Sequence, residues 1–60
     1  MSDQEGVIFE IIRIGSYAKV VAVDTQTGFE VSVVGPARGY DTLLKRTALV
    51  KLYRMMGRDV

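Results

Sequence analysis

Up to Val34 the apolar residues fall in runs dense in β-branched and aromatic side chains, whereas from Asp41 to Met56 they recur at three- and four-residue steps. The first habit belongs to strands and the second to a helix. Val7–Ile14 reads Val-Ile-Phe-Glu-Ile-Ile-Arg-Ile and Tyr17–Asp24 reads Tyr-Ala-Lys-Val-Val-Ala-Val-Asp, with only Gly15-Ser16 between them. A Gly-first dipeptide between two such runs predicts a hairpin closed by a type II′ turn. That turn sets Ile14 opposite Tyr17, Ile12 opposite Lys19 and Glu10 opposite Val21, so that Glu10 and Lys19 are diagonal neighbours on one face. Phe29–Val34 alternates as a half-buried strand does, with Phe29, Val31 and Val33 on one side and Glu30, Ser32 and Val34 on the other. The intervening Thr25-Gln26-Thr27-Gly28 predicts a three-residue hairpin loop with Gly28 left-handed in a G1 bulge.

Gly35-Pro36-Ala37-Arg38-Gly39 is expected to stop the sheet, since Pro36 offers no ladder donor and the glycines allow a sharp exit. It lacks the glycine spacing of a phosphate-binding loop and reads as a strand-to-helix connection. Asp41–Met56 is the expected helix, with Asp41 suited to cap its first amides and Gly57 to end it. Leu44, Ala48, Leu49, Leu52, Tyr53, Met55 and Met56 cover about half of its circumference, opposite Arg46, Thr47, Lys51 and Arg54 but also Leu43 and Val50. The predicted fold is therefore α+β: a three-stranded antiparallel β-meander followed by one C-terminal α-helix packed on one sheet face (β-β-β-α). Residues 1–60 form a single small domain, with 1–6 a flexible tail, 7–34 the sheet and 41–56 the helix.

One helix covers one face of such a sheet, yet both faces carry bulky apolar residues. The three-residue loop aligns Val31 with Val23 and Val33 with Val21, which gathers Ile8, Ile12, Ile14, Val21, Val23, Phe29, Val31 and Val33 beneath the helix. A closure slipped by one residue would swap the faces and place the third strand with Phe9, Ile11 and Val20. Under the first register, Val7, Phe9, Ile11 and Val20 form the second apolar surface, the candidate protein-interaction site. A homodimer, or the chain's own termini, would cover it.

The net charge of +1 conceals an asymmetry. Through Ala37, Arg13 and Lys19 stand against Asp3, Glu5, Glu10, Asp24 and Glu30, a balance of −3; from Arg38 onward, six basic residues stand against Asp41 and Asp59, a balance of +4. Arg46, Lys51, Arg54 and Arg58 are candidate phosphate contacts on the outer side of the helix, and weak nucleic-acid binding is the alternative function they suggest. No RNP-type motif accompanies them. The chain has no cysteine and no histidine, which removes thiolate chemistry, disulfides and the commonest base and metal ligand. Asp24 opposite Glu30 reads as two solvated strand-end carboxylates, with a catalytic pair or cation site the lesser alternative. No catalytic, cofactor-binding or metal residue is assigned, no cofactor or small-molecule ligand is expected, and the function read here is non-enzymatic: a small, self-associating protein-interaction or regulatory domain. The polar, acidic start and the lack of a membrane-length apolar run predict a cytoplasmic protein that does not enter the membrane.

Gly15-Ser16-Tyr17, Lys19-Val20, Ala22-Val23-Asp24, Thr27-Gly28, Glu30-Val31, Gly35-Pro36-Ala37 and a helix with Leu44, Ala48 and Lys51-Leu52 resemble a family of small uncharacterised bacterial proteins, mainly alphaproteobacterial, grouped as a domain of unknown function. The resemblance covers roughly residues 15–55. It implies a bacterial cytoplasmic setting and supplies no activity, ligand or residue role.

Overall fold

A computed structural model describes residues 3–4, 6–39 and 41–57. Its elements are β1 (Asp3–Gln4), β2 (Val7–Ile14), β3 (Tyr17–Asp24), β4 (Glu30–Pro36) and α1 (Asp41–Met55). The sheet order is β1-β2-β3-β4, antiparallel throughout. The three long strands are the expected meander, and α1 packs across one face of it against β3 and β4. The two-residue β1 is an addition: Asp3 and Gln4 pair with Ile8 and Val7, where a flexible tail was expected. Residues 1, 2 and 5 of that expected tail lie outside the described residues.

The first long hairpin has the anticipated register, Ile14 opposite Tyr17 through Val7 opposite Asp24. Gly15 sits at φ +60° while Ser16 keeps a negative φ, as a type II′ turn requires. The second hairpin closes one residue away from the preferred expectation. Val31 lies opposite Ala22 and Val33 opposite Val20. The cause is Asp24. Its Oδ2 accepts the Thr27 N–H at 2.9 Å and the Thr27 hydroxyl at 2.6 Å. Thr27 Oγ1 in turn accepts the Phe29 N–H at 3.2 Å. The Gly28 N–H closes back on the Asp24 carbonyl, and the Asp24 N–H donates to the Phe29 carbonyl. A carboxylate that holds a residue three positions ahead stabilises a four-residue loop over a three-residue one. Gly28 is left-handed at φ +81°, as its position required, but Phe29 becomes a loop residue and is exposed instead of joining the core.

Because strand side chains alternate, that single slip decides which apolar face is inside. Val7, Phe9, Ala18, Val20, Ala22 and Val31 are buried with Leu44, Ala48 and Leu52 of α1, and Ile11, Val33, Leu49 and Tyr53 pack around them. The expectation that Ile8, Ile12, Ile14, Val21 and Val23 meet the helix is thus reversed. Shape explains the choice. Ala18, Ala22 and Ala48 are fully buried, and their short side chains let the helix approach the sheet closely. Gly35 completes this: a Cβ built there would lie 2.6 Å from Leu44 Cδ2.

β4 continues through Gly35 and Pro36, which the sequence had suggested would stop the sheet. The register shows why proline is tolerated. Asp24 bonds Phe29 across the ladder, so alternate residues Val31, Val33 and Gly35 face β3 and Pro36 faces outward, where no donor is needed. The helix start also differs from expectation. Asp41 Oδ2 accepts from Arg13 Nη2 of β2, while its Oδ1 is buried without a partner, and no capping bond from this side chain to a described amide is formed. Both partners are about half exposed, so the ion pair contributes at most roughly 1 kcal/mol and mainly aligns α1 with β2. Gly57, left-handed at φ +81°, ends the helix as expected, its N–H bonding the Arg54 carbonyl.

Two stability measurements check these assignments. Gly35→Ala is expected to cost about 1–3 kcal/mol in urea unfolding, the usual scale for overpacking. In a Leu44→Ala background the same change should cost clearly less, since the clashing methyl is gone. Asp24→Ala is expected to cost about 2 kcal/mol through loss of two hydrogen bonds to a charged acceptor. Asp24→Asn, which keeps one acceptor oxygen in place, should lose less.

Candidate interaction surfaces

The reversed packing leaves a defined apolar layer on the far side of the sheet from α1. Ile8, Ile12 and Ile14 of β2, Tyr17 of β3 and Val34 of β4 are exposed there at 40, 38, 50, 44 and 62%. Half-buried Val21 and Val23 fill the middle. The polar members of this layer are Glu10, Lys19, Glu30 and Ser32, set by alternation among the apolar ones. Glu10 lies opposite Val21 and Lys19 opposite Ile12, so the two charges sit diagonally near the centre.

The residues anticipated as an interaction surface are elsewhere. Val7, Phe9 and Val20 are 2, 5 and 0% exposed and Ile11 is half-buried, all packed beneath α1. They are core residues, because the Asp24 loop turned their face inward. The residues exposed instead are Ile8, Ile12, Ile14, Tyr17 and Val34, of which the three-residue loop would have put the isoleucines beneath the helix. A signal for the true arrangement existed in the small residues Ala18 and Ala22, which a closely approaching helix favours over β-branched side chains.

On the opposite side of the molecule, Arg46, Lys51 and Arg54 project from the exposed face of α1, as the helical spacing implied. With Leu43, Thr47 and Val50 they line a shallow, open hollow of about 380 Å³. Lys51 also has a local duty: its Nζ donates to the Ser32 carbonyl on the outer edge of β4 at 3.1 Å. Arg58, the fourth candidate phosphate contact, lies outside the described residues.

The candidate carboxylate pair does not assemble. Asp24 faces the helix side and is 5% exposed, whereas Glu30 lies opposite Val23 on the other face. Asp24 is engaged by Thr27 and serves the loop. Among the described residues no group of three or more His, Cys, Asp or Glu side chains is placed to hold a metal ion. No helix formed by the described residues is long and apolar enough to cross a membrane.

The model of a domain family described as a domain of unknown function, DUF6898, matches residues 4–59. No curated protein and no solved structure matches the chain.

Proposed function

The chain belongs to the DUF6898 family over nearly its whole length, and on that footing we propose that it is a non-enzymatic interaction domain that pairs with a second copy of itself through the open sheet face. The observation that supports this reading is the set of five exposed large apolar residues, Ile8, Ile12, Ile14, Tyr17 and Val34, on one face of the sheet. Water contact with apolar surface is unfavourable by roughly 25 cal/mol per Å², and a face this rich in exposed apolar side chains often marks an interaction site. The charges favour a like partner. A two-fold axis through the middle of the face can bring Glu10 of one copy towards Lys19 of the other, twice, so the same surface is its own complement. Strands of seven and eight residues give a footprint about 26 Å long and 14 Å wide. That is roughly 360 Å² per copy, below the size of standard stable interfaces, and fits only a weak, reversible dimer. The cytoplasmic and bacterial, mainly alphaproteobacterial, setting belongs to the same proposal. Nucleic-acid contact through the exposed Arg46, Lys51 and Arg54 is the second reading.

Sedimentation velocity from about 1 μM to 1 mM tests the proposal over the range a reversible interface would span. The expected result is a monomer–dimer equilibrium with substantial dimer near roughly 0.1 mM. Ile12→Glu, at a partly exposed position, should keep the native circular dichroism and weaken pairing at least tenfold, about 1.4 kcal/mol. A folded protein that stays strictly monomeric across the range would overturn the reading.

A further inference from the structure

The outer side of α1 plays no part in pairing through the sheet and carries apolar and basic residues of its own. Leu43, Thr47, Val50 and Arg54 follow one another at steps of four, three and four residues, the spacing that keeps a seam along one side of a helix. Leu43 is 56% exposed. Thr47 Oγ1 donates to the Leu43 carbonyl at 2.9 Å, so its polar atom is satisfied within the helix. Arg46 and Lys51 flank the seam, and these six residues line the hollow described above. Lys51 is held by Ser32, while Arg46 and Arg54 make no ion pair with any described residue.

The surface thus joins an apolar floor to a basic rim. We propose that it docks an acidic amphipathic helix of a partner protein. Apolar anchors three and four residues apart would cover Leu43 and Val50, and flanking Glu or Asp side chains would meet Arg46 and Arg54. Neither other occupant fits as well. A second copy would oppose α1 to α1 and set Arg46 and Arg54 against themselves, a like-charge juxtaposition that disfavours the pair. A phosphate backbone answers the arginines but offers nothing to cover Leu43 and Val50. The inference is independent of sheet-face pairing.

Fluorescence anisotropy with the full chain tests it. The probes are a labelled 18-residue peptide with Leu at heptad a and d positions and Glu at e and g, the same peptide with Lys replacing Glu, and a labelled 20-nucleotide single strand, each at two salt concentrations. The expected result is binding of the acidic peptide with a dissociation constant in roughly the tens of micromolar, as a seam of about three turns allows. It should weaken at least about tenfold with either Val50→Glu or the pair Arg46→Glu and Arg54→Glu, each with unchanged circular dichroism. The Ile12→Glu protein should bind the peptide normally, which separates this surface from the sheet face. Equal binding of the acidic and basic peptides, or no binding of the acidic one, would overturn the proposal. So would oligonucleotide binding that outlasts Val50→Glu and collapses with salt, which would assign the surface to phosphates.

Discussion

Asp24 holds Thr27 by both its backbone N–H and its hydroxyl, and most of the molecule follows from that grip. The four-residue loop it stabilises sets Asp24 rather than Thr25 opposite Phe29. From there alternation does the rest. Val31, Val33 and Gly35 turn towards the helix, and Glu30, Ser32 and Val34 turn away. Were the loop one residue shorter, Gly35 would leave the helix face and Leu44 would lose the gap into which its methyl fits. The core and the outward layer are therefore two results of one local hydrogen-bond arrangement.

The side of the sheet that receives the helix is the less bulky of two apolar sides. Ala18, Val20 and Ala22 on β3 offer a shallow surface that Leu44, Ala48 and Leu52 can approach closely, and all six are nearly or fully excluded from water. Burying the three isoleucines of β2 instead would have removed more apolar area per residue but held the helix farther off. Close packing gains dispersion contacts over the whole shared surface, and voids forfeit them. The cost is displaced to the outer layer, where Ile8, Ile12 and Ile14 stay in water.

Periodicity was enough for the three long strands, the helix and their order, because strand and helix patterns in this chain do not overlap and Gly15 and Gly57 stand where turn chemistry demands them, but it gave no sign of the two-residue β1. Periodicity could not choose between two apolar faces, since Val and Ile score alike whichever way they point. The choice lay in Asp24 and Thr27, whose three-residue spacing is a loop-stapling pattern, and in Gly35, whose value is the side chain it lacks. A strand-end carboxylate is usually solvated and a glycine beside proline usually breaks a sheet, so neither residue announces its role by type alone. The basic side of α1 was legible because a helix shows its charged stripe without reference to register. The outward apolar residues of the sheet were not, because which face points outward depends wholly on the loop.

The two long edges of the sheet are not equivalent. On β4, Lys51 occupies the outward carbonyl of Ser32, and Pro36 has no N–H to offer. Charged lysine and proline both discourage a further strand from joining. On β2, the short β1 shields only Val7 and Ile8 among the described residues. A fibril grows by adding strands without limit, which requires that every newcomer present a fresh edge as receptive as the one it covered. Here a copy that attached along β2 would present its own blunted β4 to the next arrival. Even if the sheet were forced to recruit neighbours at high concentration, addition by that route would end at two copies, and the apolar chain would have a built-in stop against amyloid-like growth.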